Sequence, residues 1–264
     1  MDYADVHCHL EHERFKEDLD EVVNRARKNK VKLIISSGVN PSTNRRALAL
    51  AKKYPDIVKA SFGIYPVDAV ANKVDIAEEF IRHVEKFDID KELKWIEENS
   101  HKCIAIGEVG LDYKIVKGHN DLQKENFRKC ISLANKLNKT LVIHSRNAEG
   151  DTMDLLEEMK AKKVVMHCFQ GKKSLIKKGL DLGFYFSIPA VITRLEHFKM
   201  MVELIPIENL LTETDAPYLA REVGGRSEST DVINTIKIIS QIKGLSEGEV
   251  AKRIWKNTRD VFNL

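Results

Sequence analysis

Residues 4–9 read ADVHCH: small and β-branched side chains leading into two histidines separated by one residue. Successive side chains of a strand point to opposite faces, so His7 and His9 share a face and Cys8 looks away. Two imidazoles side by side at a strand end make half of a metal site. On its own such a pair is equally what a satisfied core or a surface would show, and the rest of the chain has to decide.

Seven further short apolar runs follow: VKLIISSG (31–38), IVKASFG (57–63), CIAIGEVG (103–110), TLVIHS (140–145), VVMHCF (164–169), FYFSIP (184–189) and NLLTETDAP (209–217). Longer amphipathic segments separate them. In DLQKENFRKCISLANKLNK (121–139), Phe127, Ile131, Ala134 and Leu137 recur at helical spacing. Near-continuous apolar strands alternating with helices imply a parallel sheet covered on its outer face, and the count of eight favours closure into a (β/α)8 TIM barrel, one domain over residues 1–264. The long connection from about Asp68 to Ser100 reads as two helices, and Ser246 with Glu249 has the spacing of a capping box opening a last packing helix.

Composition narrows the class. The chain has 264 residues, 43% of them hydrophobic, with 43 basic and 40 acidic residues giving a net charge of +3. That balance is unlike an obligate nucleic-acid coat, so any basic binding surface has to be local. No run approaches the ~18 apolar residues of a membrane span, and MDYADVHCHL lacks both the basic and the apolar regions of a signal peptide, so a cytoplasmic protein is expected. Cys8, Cys103, Cys130 and Cys168 are scattered without CxxC spacing and fit reduced, buried thiols.

Polar residues stand at the C-terminal ends of five of the predicted strands: His7 and His9, Glu108, His144, His167 and Asp215. In a barrel those ends form the face where loops build the active site, so residues distant in sequence converge there. Acidic residues before helices are often caps, and single histidines are often core residues, but six such coincidences at matching positions point to a site. Imidazole and carboxylate together suit zinc, manganese, nickel or iron at a hydrolytic centre, and a carboxylate can bridge two ions about 3.5–4 Å apart; two divalent ions, Mg, Mn or Zn, are expected. Glu108 is the natural bridge. His7, His9 and Asp215 would complete one site, His144 and His167 the other, with Asp215 placed to orient a water or take its proton.

The motifs DVHCHL (5–10), GEVGLDY (107–113), VIHSRNA (142–148), MHCFQG (166–171) and ETDAPYL (213–219), with KNTRDVF (256–262) near the end, resemble the TatD family of metal-dependent hydrolases within the amidohydrolase superfamily. The resemblance spans nearly the whole chain. It implies a metal-dependent deoxyribonuclease, an exonuclease acting on DNA ends, with two divalent cations at the residues just named. It also implies substrate contacts at Arg146 and at Glu213, two residues before Asp215. There are two departures. GIYP (63–66) puts Tyr65 where the family has a histidine beside the substrate phosphate, and REVGGRSEST (221–230) offers Arg226 for the arginine of a basic loop.

The planar fork of Arg146 matches phosphate oxygens, although an ion pair with Glu149 would explain the same residue. Lys114, Lys117 and His119 are candidates for a backbone-tracking groove, or for a solvated loop. Three functions stay open: a two-metal nuclease, a hydrolase of small amides, lactones or esters using the same ions, and a metal- or nucleic-acid-binding barrel without turnover. The first has Arg146 in its favour; the second has Tyr65 and the balanced charge.

Overall fold

A computed structural model describes residues 1–74 and 84–264. Its strands are β1 (Tyr3–Cys8), β2 (Val31–Ser37), β3 (Val58–Ile64), β4 (Ala105–Asp112), β5 (Thr140–Arg146), β6 (Val164–Met166), β7 (Tyr185–Pro189) and β8 (Leu210–Glu213). They form one sheet in sequence order, every adjacent pair parallel. The edges meet through bonds to β1: the amides of Thr214 and Asp215 both donate to the His7 carbonyl, and the Thr212 hydroxyl donates to that of Ala4. The result is the (β/α)8 barrel that the run of eight apolar segments predicts.

Helices wrap the outside: α1 (Leu19–Lys28), α2 (Pro41–Lys53), α3 (Pro66–Val70), α4 (Ile89–Glu98), α5 (Asn120–Leu137), α6 (Glu149–Glu158), α7 (Lys173–Asp181), α8 (Glu196–Leu204), α9 (Val232–Lys243) and α10 (Glu247–Phe262). Their starts are written in the sequence. Asn40 and Thr43 form a capping box ahead of Pro41 in α2, and Ser246 and Glu249 form the one expected for α10. Helix α5 buries Phe127, Ile131 and Ala134, the spacing read from the sequence, while Asn138 takes a left-handed conformation that ends it. Burying a side chain such as Phe127 stabilises by about 1.5–3 kcal/mol, so a charge at Phe127 or Ile131 would detach this helix from β4. The connection from Asp68 to Ser100 contains α4 and most of α3, which begins slightly earlier; residues 75–83 lie outside the described part.

Two apolar layers result. Inside the barrel Ala4, Val6, Leu33, Ile35, Ala105, Val142, Val165 and Leu211 pack together, and a larger layer fills the space between sheet and helices. All four cysteines are free thiols, three of them buried. Among the described residues no helix is long and apolar enough to cross a membrane. Because every strand is parallel, all their C-terminal ends open on one face, and the polar residues are gathered there.

Candidate metal centre

β1 delivers His7, with His9 just beyond its end, β4 delivers Glu108, β5 delivers His144, His167 follows directly on β6, and Asp215 stands two residues past β8. All six lie together. Glu108 sits in the middle, with one carboxylate oxygen toward each histidine pair. Its Oε2 is 3.6 Å from His7 Nε2 and 3.5 Å from His9 Nε2; its Oε1 is 2.9 Å from His144 Nδ1 and 3.8 Å from His167 Nε2. Asp215 Oδ1 lies 3.5 Å from His7 Nε2 and 3.4 Å from His9 Nε2.

Glycines admit this central position. A Cβ on Gly63 of β3 would stand 2.2 Å from the Glu108 amide nitrogen, and one on Gly110, where φ is +145°, would stand 1.9 Å from the His144 carbonyl oxygen. The backbones carrying Glu108 and His144 approach their neighbours only because those side chains are missing.

The spacing fits cations. Two ligands held about 2.1 Å from a tetrahedral ion are themselves about 3.4 Å apart, longer than a hydrogen bond. Most of the separations between histidine nitrogens and carboxylate oxygens have that length, and His7 Nε2 is buried with no hydrogen-bond partner among the described residues. Ligand atoms within 4.8 Å of one another form three triads: His7, His9 and Glu108; His7, His167 and Asp215; and Glu108, His144 and His167. The first and third triads share Glu108, and Asp215 is absent from both. The second adds His167 to the reach of Asp215.

The opposite ring nitrogens are tied to the scaffold. His7 Nδ1 meets the Ser37 hydroxyl at 3.1 Å, His9 Nδ1 the Ser37 carbonyl at 2.9 Å, His144 Nε2 the Asp112 carboxylate at 3.2 Å, and His167 Nδ1 the Glu213 carboxylate at 2.8 Å. Metal-ligating histidines characteristically carry such outer partners, which set tautomer and ring orientation. Ser37 and Asp112 escaped the sequence reading, since neither stands in a pattern that distinguishes it from an ordinary strand-end residue.

The electrostatics agree. Burial opposes charge on the imidazoles, but Asp215 and Glu108 outweigh it at His7, whose pKa rises to about 9, and carboxylate neighbours also raise those of His9 and His144. Burial likewise opposes ionisation of Glu108 and Asp215, yet the histidines hold both well below the usual carboxylate range. This cavity draws in positive charge, as protons or as metal ions.

The residues expected to touch substrate are placed less uniformly. Arg146 is exposed at the end of β5, with no ion pair among the described residues; the pair with Glu149 is absent, and Glu149 instead accepts from the Asn147 amide. Tyr65 is buried at the N-cap of α3, and its hydroxyl donates to Asp112 at 2.9 Å while lying 3.3 Å from His144 Nε2. Glu213 is 0% exposed. Its Oε2 accepts from Ser187 as well as from His167, and its Oε1 from the Cys168 amide, so it supports the centre from beneath rather than facing substrate. Arg226 is likewise engaged elsewhere: it donates to the Arg14 carbonyl, Asp18 and Glu228, and stacks over Phe15.

A parallel barrel with histidines and carboxylates gathered at its strand ends defines a metal-dependent hydrolase. The family model described as TatD related DNase matches residues 4–263, and the chain belongs to that family. It is 35% identical over 268 residues to the uncharacterized metal-dependent hydrolase YabD of Bacillus subtilis, covering 98% of each chain. It is 33% identical over 263 residues to the deoxyribonuclease TATDN3 of Homo sapiens, covering 98% of this chain and 94% of that one. In three dimensions it superposes on the TatD homologue YJJV of Escherichia coli with a TM-score of 0.86 at 22% identity, over 99% and 98% of the two chains.

Proposed function

We propose that the chain is a single-domain, divalent-metal-dependent deoxyribonuclease that cleaves phosphodiester bonds at DNA ends, using two ions such as Mg, Mn or Zn. The observation that carries this reading is the exposed Arg146, without an ion pair among the described residues, at the end of the strand that carries His144 of a centre whose Glu108 faces two histidine pairs. A guanidinium fork matches the non-bridging oxygens of a phosphate, while a two-ion centre opposes the charge that develops on attacking and leaving oxygens. The family membership and the name of the human relative point the same way.

In this reading His7, His9, Glu108 and Asp215 hold one ion, and His144 and His167 with Glu108 hold the other; when bound, the ions supply Lewis acidity and a water of lowered pKa. Asp215 is the more open of the two carboxylates, with 17% of its side chain exposed against 5% for Glu108. It accepts a proton from the attacking water as the new P–O bond forms and the bond to the leaving sugar oxygen breaks. Glu108 and the histidines, locked by their outer partners, keep the donor atoms in register. Arg146 orients the phosphate and neutralises its equatorial charge.

The test is direct. Protein stripped of metal and reloaded with Mg²⁺, Mn²⁺ or Zn²⁺ is incubated with end-labelled single-stranded and duplex DNA, and with a nitrophenyl ester and a lactone. Product ladders from DNA that vanish in Glu108→Ala and Asp215→Asn are expected. Ester or lactone turnover without DNA cleavage would move the substrate to small molecules.

A further inference from the structure

Beside the metal centre, the loops after β4, β5 and β6 enclose an open basin of about 700 Å³. Three cations line it, Lys114, Arg146 and Lys172, and among the described residues none of them carries an ion pair. Elsewhere on the surface several cations are neutralised, as with Arg27 on Asp56, Lys124 on Asp151 or Lys178 on Asp154 and Glu157. An unneutralised trio around one depression is an anion's environment.

Two further features aim at the same space. Helix α7, nine residues long, starts at Lys173, and its N-cap Lys172 supplies no side-chain bond, so the first-turn amides are left without a cap while Ser174 lines the basin. Those amides and the positive end of the helix favour negative charge. Independently, Ser145 lines the basin at 7% exposure, and its Oγ is buried without any hydrogen-bond partner among the described residues. A buried hydroxyl left unpaired costs about 1–3 kcal/mol, which a ligand oxygen would relieve. Among the described residues the one carboxylate lining the basin, Glu149, accepts from the Asn147 amide.

We propose that this basin is a second phosphate subsite, distinct from the position of the scissile phosphate, and that it grips a neighbouring phosphate of the same strand through Lys172, the α7 amides and the Ser145 hydroxyl. The inference rests on the phosphodiester reading for its occupant, though not for its charge. Arg146 ends the strand that carries His144 and also lines the basin. A substrate with more than one phosphate then binds better than a minimal diester, and the enzyme distinguishes a polymer from a small phosphodiester by this contact rather than by the ions.

Lys172→Glu and Ser145→Ala in the metal-loaded protein test it. Turnover is measured on bis(p-nitrophenyl) phosphate, which has one phosphorus, and on short thymidine oligonucleotides with and without a terminal phosphate. Separately, inorganic phosphate is titrated while the amide resonances of Lys173 and Ser174 are followed. We expect both variants to raise KM for the oligonucleotide with kcat little changed and the small diester unaffected, and Lys172→Glu to lower the salt slope of log KM by about one. The amides should shift with phosphate in wild type and stay still in Lys172→Glu. A KM effect confined to the end-phosphorylated oligonucleotide would identify the occupant as a terminal phosphate; one on both would identify a backbone phosphate. Amides that ignore phosphate in wild type, or equal KM values for wild type and both variants, would overturn the subsite. Amides that respond in a protein without DNA cleavage would leave the subsite standing and remove the nuclease reading.

Discussion

The Glu213 carboxylate accepts a hydrogen bond from His167 Nδ1 at 2.8 Å, and with its other oxygen holds the amide of the next residue, Cys168. This pairing fixes the ring whose opposite nitrogen faces Glu108. Glu213→Gln should therefore weaken metal binding by about 10–100-fold, the usual loss when an outer partner of a ligating histidine is changed. At saturating metal its KM for DNA should match wild type. A raised KM under that condition would return Glu213 to the substrate surface.

Protons and metal ions compete for the same imidazoles. The pKa of His7 is raised from 6.5 to about 9 in the metal-free protein, burial being outweighed by Asp215 and Glu108. A raised folded pKa gives stability that is present below 6.5 and is lost as pH climbs through about 9. The metal-free protein should lose stability across that window. Metal requires the neutral imidazole, so its affinity should increase over the same window with release of protons. The gain in Tm on adding Zn²⁺ should thus be larger at pH 8.5 than at pH 6.5, and calorimetry in buffers of different ionisation enthalpy should record proton release. A gain that shrinks as pH rises would contradict the ligand assignment.

Arg146→Lys separates phosphate recognition from metal binding. Lysine keeps the charge but not the two parallel donors, so kcat/KM on DNA should fall by about tenfold or more while metal content stays the same. An unchanged rate would show that the guanidinium does not touch the phosphate.

Tyr65 invites a different expectation from the histidine that its position suggests. Burial first, then Asp112 and Glu108, hold its hydroxyl well above the ordinary value of 10, so it remains a neutral donor to Asp112 at any working pH. Tyr65→Phe should leave the shape of the pH–rate profile unchanged and lower metal affinity modestly, through the Asp112 that orients His144. Tyr65→His should move the profile only if the new imidazole reaches past Asp112 to the phosphate, and superimposable profiles for the wild type and both variants would confine Tyr65 to support.

The architecture and the cluster of strand-end histidines and carboxylates are legible in the sequence because both depend on local patterns. Apolar runs and helical spacing reveal strands and helices, and a strand-end histidine or carboxylate is visible as such. Partners across the fold leave no such trace. Asp112 reads as a loop aspartate until β4 and β5 lie side by side and bring it to His144, 32 residues away. Strand alternation would put Glu213 on the face of Asp215, but β8 ends at Glu213 and Asp215 has φ +56°, so the alternation stops before it applies. Arg226 looked free for substrate because its partner Asp18 lies 208 residues earlier.

The bonds from Thr214 and Asp215 to the His7 carbonyl, backed by Asp5 on the Thr214 amide and hydroxyl, join the first strand to the last. The triad of Glu108, His144 and His167 comes from a continuous stretch of chain, whereas every role of Asp215 waits for that seam. Contacts so distant along the chain close late, because the loop entropy they overcome is greatest. The two halves of the cluster are therefore expected to assemble at different moments of folding, the part that contains Asp215 together with the sealing of the whole cylinder, an order that pulsed hydrogen exchange on the His7 and His144 strands would reveal.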